Sequence, residues 1–453
     1  MALTTGQKIG WGLADLGVVT FVIIKQLLVL AFLTTVLGVP VVLASYLTTC
    51  ILLFDILTDP MVGAASDQTE TRFGRRAPWM FWGSVVMAVG VVALFSVPEG
   101  LDELLIVGWV GFGFAIATIG FTMVTVPYSA MAGEMTESPQ ERTQLTAWRM
   151  TFACLGILAG GAVLPALANS VGYKTASLMI APVLVAPIWI SILLTRKAPS
   201  HFRPTQLDVG AMARTVFGNL PFVVLFVTYG LMTLAVATLM AGLPFAALYL
   251  FVDDGTSPLS DIATSLTIMS FTLAAFVIGA LISQSFWAYL SRRISKLMAT
   301  VIGLVLYIIL LLALPQFVPI TNMTFLGVLF LCFGFANGAY QQVPWAMYPD
   351  LIDITRRETG QRIEGAFSAL WLLGQKVANA FGPLVLGAII GLFGFQSSRG
   401  GPVEQSDEAI DALLMAMTYL PASIFGVSIL VLIFVFRPML RDAEQKSLYG
   451  AMT

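Results

Sequence analysis

Twelve stretches of this chain are each long and apolar enough to cross a bilayer, and they leave little of the sequence for anything else. A spanning helix needs about 20 mostly apolar residues. The candidates are 10–37, 40–65, 79–97, 104–130, 143–168, 172–195, 215–251, 261–285, 297–315, 322–347, 364–394 and 410–436. Inside lipid every backbone N–H and C=O must be satisfied within the segment, so such stretches fold as helices. Of the 453 residues, 58% are apolar and 11% charged, where a soluble domain carries about 25% charged residues. The fold class is therefore an all-α membrane protein of twelve transmembrane helices. The first stretch shows no cleavage-site pattern and reads as a retained span.

Several functions are excluded at this level. Formal net charge is −2, which gives no footprint for nucleic acid. The three cysteines, Cys50, Cys154 and Cys332, all sit in apolar stretches, and the single histidine, His201, lies in a polar connection. That composition holds no disulfide framework and no zinc motif. No nucleophile–base pair or phosphate-binding loop is present, so the chain is not read as an enzyme, and no cofactor is expected.

Charge in the connections sets the orientation. Eighteen Lys and Arg residues fall in the even-numbered connections and at the two ends, whereas the opposite connections carry only Lys174 and Arg399. By the positive-inside rule both termini are cytoplasmic, as an even number of spans requires, in a multi-pass protein of the plasma (inner) membrane. The longest cytoplasmic connection follows the sixth span. It divides the chain into a first six-helix half (1–195), a linker (196–214), a second half (215–436) and a tail (437–453). A basic turn recurs after the second and eighth spans, at Arg72, Arg75 and Arg76 and at Arg292, Arg293 and Lys296. Such an echo suits a carrier built from two parallel halves.

Charges stranded at membrane depth carry the functional signal. Asp55 and Asp59 lie four residues apart, on one helix face. An ionised group at the bilayer centre costs about 2.5–3.5 kcal/mol on the lenient scale, and two carboxylates on one face repel each other. Two explanations stand. One is a small cation that comes and goes, bound by Asp55, Asp59 and the Thr58 hydroxyl; such hard oxygens suit Na⁺ and equally suit a shared proton. The other is a fixed salt bridge between halves, for example Asp59 with Lys376. Asp15, Lys25, Arg149 and Lys376 complete the set of intramembrane charges and imply a central aqueous cavity. Lys25 is the weakest candidate of these and its role stays open, because a long side chain can snorkel toward an interface. Gln341, Gln342, Gln375 and the Trp371 ring gather at similar depth, where amides suit the hydroxyls and a flat ring the C–H face of a sugar. Interhelical hydrogen bonding is the plainer use of such amides. Gly156, Gly160 and Gly161 read as close helix packing.

The run Asp59-Pro60-Met61-Val62-Gly63-Ala64-Ala65-Ser66-Asp67, followed by Arg72-Phe73-Gly74-Arg75-Arg76-Ala77-Pro78-Trp79, resembles the glycoside–pentoside–hexuronide:cation symporters of the major facilitator superfamily. Glu141-Arg142-Thr143 with Trp148-Arg149, Pro349-Asp350-Leu351-Ile352-Asp353, and Thr359-Gly360 with Arg362, Glu364-Gly365 and Lys376 match as well, so the resemblance spans nearly the whole chain. It implies the twelve-helix fold and alternating access. It implies a cation site at Asp55 and Asp59, solute contact at Arg149, and Lys376 close to both. It also implies a cytoplasmic gate formed by Asp67, Arg75, Arg76, Arg142, Asp350, Asp353 and Arg362.

Two departures bear on the solute. Melibiose-type members carry an acid in the first span and another in the fourth. Here Val18 or Val19 falls at the first position, with Asp15 one turn earlier, and Thr125 at the second. Asp15 and Thr125 are therefore the residues expected to line the solute site in their place. The expected function is import of a small polar solute, a sugar or glycoside, with Na⁺ or H⁺; membrane lipid is the remaining partner. The alternatives are a lysolipid carrier of the same fold and a non-transporting scaffold.

Overall fold

The computed structural model describes residues 3–136, 138–199, 217–359 and 364–442. Every apolar stretch is a helix. In chain order these are α1 (Thr5–Val36), α2 (Val41–Gln68), α3 (Ala77–Phe95) and α4 (Glu103–Met135). A continuous run, Gln140–Thr195, is split at Gly172 (φ 80°, ψ 157°) into α5 (140–171) and α6 (173–195). A residue with a Cβ is strained at that positive φ, so glycine allows the chain to reverse there. The second set is α7 (Leu220–Tyr249), α8 (Ile268–Arg293), α9 (Lys296–Phe317), α10 (Met323–Thr359), α11 (Glu364–Leu392) and α12 (Asp407–Asp442).

The ends follow local chemistry. Thr4 caps α1 with a reciprocal box: its hydroxyl accepts from the Gln7 N–H at 3.3 Å, and the Gln7 amide accepts from the Thr4 N–H at 2.9 Å. Asn219 caps α7 by accepting from the Phe222 N–H at 2.9 Å. Two spans differ from expectation. The eighth begins at Ile268 rather than 261, because Thr267 (φ 75°) ends a short helix, Ser260–Leu266, and its hydroxyl then caps α8. The tenth runs on to Thr359, because neither Pro344 nor Pro349 ends it. Most of the expected linker, 200–214, lies outside the described residues.

Helices α1–α6 pack on one another, as do α7–α12, and the broadest contact between the two sets joins α2 to α11. Glycine permits the closest approaches within each set. A Cβ on Gly156 would stand 2.7 Å from the Leu16 carbonyl oxygen, and one on Gly160 2.5 Å from that of Thr20, so α5 lies backbone to backbone on α1. In the second set α8 crosses α10 at Gly279 and Gly334, where added Cβ atoms would overlap the carbonyls of Leu331 and Phe276. Neither obstacle is a flexible side chain. Gly334→Val should therefore force the two helices apart and cost about 3 kcal/mol or more. The expected result is little monodisperse protein on size-exclusion chromatography, and a normal yield would rule out a backbone-to-backbone crossing at Gly334.

The two halves are tied at the end away from the termini. Ser398, Gly400 and Gly401 donate backbone N–H groups to the carbonyls of Thr34, Val36 and Thr35 at 2.9, 3.0 and 3.2 Å. The Ser270 hydroxyl donates to the Ala162 carbonyl at 2.8 Å, and Gly387 and Gly391 press on Ser45 and Val42. At the other end, ion pairs form within each half. Arg76 holds Asp67 at 2.6 Å and Glu134 at 2.7 Å, and Lys296 holds Asp350 at 2.6 Å.

Candidate functional site

Asp55 stands near mid-depth of α2, fourteen residues after Val41, or about 21 Å along the axis. Its carboxylate is 2% exposed as a residue and fully engaged. The Lys25 ammonium donates to Oδ2 at 2.9 Å, and the Thr122 hydroxyl of α4 donates to Oδ1 at 2.9 Å. One turn on, Asp59 Oδ2 accepts from Lys376 of α11 at 2.5 Å; the same ammonium reaches Asp55 Oδ2 at 3.5 Å. Lys25 and Lys376 share the face of Phe121, at 4.1 and 5.9 Å from its centroid, a contact that favours cations. Two carboxylates thus meet two ammonium groups, and their formal charges cancel. The inner pair is sealed, with side chains 7% and 3% exposed for Lys25 and Asp55, whereas Lys376 and Asp59 are 32% and 28% exposed. Asp59 Oδ1 is buried and accepts no hydrogen bond.

Lys25 corrects the sequence reading. It does not snorkel. It lies in a wide π-turn of α1, Ile24–Leu28, which inserts an extra residue into that helical turn. Thr122 was equally missed, and Thr58 is less direct than expected. The Thr58 hydroxyl donates to the Asp55 main-chain carbonyl at 3.0 Å and pairs with the Thr122 hydroxyl at 3.2 Å. The count of charges at membrane depth, Lys25, Arg149 and Lys376 against Asp15, Asp55 and Asp59, is the sequence signal that includes Lys25; nothing marks Thr122.

A second cluster lies within the first half. Arg149 Nε donates to Asp15 Oδ2 at 2.9 Å, and the Asp15 side chain is only 2% exposed. The guanidinium carbon stands 5.8 Å from the Tyr128 ring, which stacks on Trp11 at 4.8 Å. Trp11 in turn donates to the Tyr128 carbonyl at 3.2 Å. Arg149 keeps 40% of its side chain exposed. Asp15 and the rings fix one edge of the fork, and its remaining donors face solvent-accessible space.

The other expected residues divide. Gln341 is exposed and Gln375 half-buried, while Gln342 keeps a buried Oε1 with no partner. Thr125 turns its hydroxyl back to the Phe121 carbonyl at 3.0 Å. Trp371 is corrected as a stacking platform: it is fully buried, stacked on Tyr229 at 4.4 Å and on Tyr348 at 4.9 Å, so its ring packs the second half. Of the gate residues, Asp67 and Arg76 pair with each other, Asp350 pairs with Lys296, and Arg142 donates to the Thr136 carbonyl at 3.2 Å. Arg75 lines a cavity beside Arg76, Phe73 and Arg196. Arg362 and the Asp353 side chain lie outside the described residues.

Two six-helix halves, joined around charged groups at mid-depth and sealed at one end, define a multi-pass membrane carrier of the major facilitator class. The chain belongs to the MFS/sugar transport protein family, whose model matches residues 10–437. It is 26% identical to a putative glycoside/cation symporter of Escherichia coli (strain K12) over 412 residues, covering 89% of this chain and 86% of that one. It is 24% identical to an isoprimeverose transporter of Lactiplantibacillus pentosus, covering 92% and 86%. Among solved structures, a bacterial homologue of the iron transporter ferroportin in an inward-facing state shares the fold at TM-score 0.64 and 14% identity, covering 95% and 97%.

Proposed function

We propose that this chain is a cation-coupled symporter that imports a small polar solute, a sugar or glycoside, by alternating access. The observation that carries the reading is the bond from Lys376 of α11 to Asp59 of α2, a partly buried ion pair that joins the two halves in the middle of the bundle. A cation arriving at Asp59 competes with Lys376 for the carboxylate. The freed ammonium then joins Arg149, Gln341, Gln342 and Gln375 as a donor to the hydroxyls of the solute. With the cation alone bound, Lys376 is left without its counter-charge inside a closing interface, and that state is unfavourable. The solute relieves it, so only the empty and the fully loaded carrier change access.

The names of the relatives support a glycoside-type solute and a coupling cation. The charge asymmetry of the connections supports cytoplasmic termini in the plasma (inner) membrane. With that orientation the tied end is the outer one, so the form described here is open toward the cytoplasm. Asp67, Arg75, Arg76, Arg142, Asp350, Asp353 and Arg362 then serve as the inner gate. In the outward-open form their ion pairs exchange partners across the halves.

The test is a thermal-shift screen of purified protein against pentosides, hexosides, uronides and lysolipids. A ligand at a hundred times its Kd stabilises the folded state by about 2.7 kcal/mol. The expected result is stabilisation by at least one glycoside that is lost in Arg149→Ala. Stabilisation by lysolipids alone would overturn the reading.

A further inference from the structure

We infer that Lys25 is a cation built into the chain, occupying Asp55 so that this carboxylate does not take a transported metal ion. The inference rests on the reading of Asp55 and Asp59 as the coupling site and makes it narrower. Four observations meet. The Lys25 ammonium lies 2.9 Å from Asp55 Oδ2, and the Thr122 hydroxyl occupies Oδ1, so neither oxygen is left without a donor. The Lys25 and Asp55 side chains are 7% and 3% exposed, so the pair is shut off from the water that reaches Asp59 and Lys376. The ammonium also sits 4.1 Å from the Phe121 centroid, where an aromatic face replaces part of its hydration. Finally, Lys25 leaves α1 within the π-turn Ile24–Leu28 and its side chain ends on Asp55 of α2 rather than at an interface.

The charge count sets the consequence. With Lys25 present, the two acids already face two ammonium groups, so any cation added at Asp59, Na⁺ or H⁺, leaves the cluster one positive charge in excess until the solute binds. The ion also finds at most one carboxylate, at Asp59, and a single acid is a poor cage for a weakly held monovalent ion. The carrier therefore works without Na⁺ and exchanges its coupling cation at Asp59 alone. Removing the Lys25 ammonium leaves Asp55 Oδ2 with only the longer 3.5 Å contact to Lys376, one helical turn from Asp59, and gives the cluster a net negative charge on hard oxygens.

The experiment compares NaCl with choline chloride, using the purified full-length protein and thermal unfolding as the readout. Wild type should be indifferent to Na⁺. Lys25→Met, which keeps the length and apolar stem of the side chain, should be stabilised by Na⁺, with its transition raised by several degrees. Lys25→Arg should behave as wild type, and Lys25→Met combined with Asp55→Asn should again be indifferent. A wild-type transition that Na⁺ raises as far as that of Lys25→Met would overturn the inference, as would a Lys25→Met protein that Na⁺ leaves unmoved. If Lys25→Met yields no folded protein, the wild-type titration decides alone: saturable Na⁺ binding there refutes the proposal. The broader reading fails separately, when no cation gradient drives uptake in wild type. Uptake driven by Na⁺ and lost in Asp59→Asn keeps that reading and rejects this one.

Discussion

Replacing Asp59 with asparagine is expected to reduce gradient-driven accumulation in proteoliposomes by about two orders of magnitude. Asp59 is the partly exposed acid of the pair, and its Oδ2 holds Lys376 at 2.5 Å. With an amide there, two ammonium groups face one carboxylate, and the cluster carries excess positive charge before any cation arrives. The exchangeable cation loses its ligand and Lys376 loses its main counter-ion. Solute binding does not need either acid directly, so exchange of labelled for unlabelled solute should persist. The pair of assays separates coupling from binding. Wild-type accumulation in Asp59→Asn would assign coupling to another group, whereas loss of both assays would point to a folding defect instead.

Asp55→Asn is expected to fail for a different reason. It leaves the Lys25 ammonium buried, with a side chain 7% exposed, and without the one carboxylate that pairs with it among the described residues. Breaking a buried pair by removing one partner costs about 3–5 kcal/mol, because the surviving charge is uncompensated. Lys25→Met on the same background removes that charge and should recover most of the loss. A double-mutant cycle read by unfolding in detergent gives the coupling energy directly. A stable Asp55→Asn protein would mean that Lys25 leaves the site when its partner is gone. Na⁺ should not rescue Asp55→Asn, since the orphan there is already positive.

The contrast between these variants shows what sequence could and could not reveal. Helix number and order were legible because hydropathy reports directly on whether a segment survives in lipid. The Asp55–Asp59 pair was legible because its cost at membrane depth demands an explanation. Its resolution was not: Asp59–Lys376 was one of two named possibilities, and only three-dimensional placement brought α11 onto α2. The role of Lys25 stays open in the sequence because linear position gives depth along a helix but not the direction a side chain takes. Trp371 was misjudged by the same kind of gap. An indole beside polar residues in sequence can still be packed against Tyr229 and Tyr348 in space. The Gly156 and Gly160 reading held, because a missing Cβ between helices has few other uses.

The clasp at the far end of the bundle is knit from peptide groups, with Ser398, Gly400 and Gly401 donating to Thr34, Val36 and Thr35. The bonds themselves name no side chain, but Gly400 (φ 81°) and Gly401 (φ 146°) lie where a Cβ is strained, so the clasp tolerates exchange on the Thr34–Val36 strip and not at its two glycines. The side chains around Asp59 and Arg149 can therefore change without touching the bonds that hold the two halves together at that end.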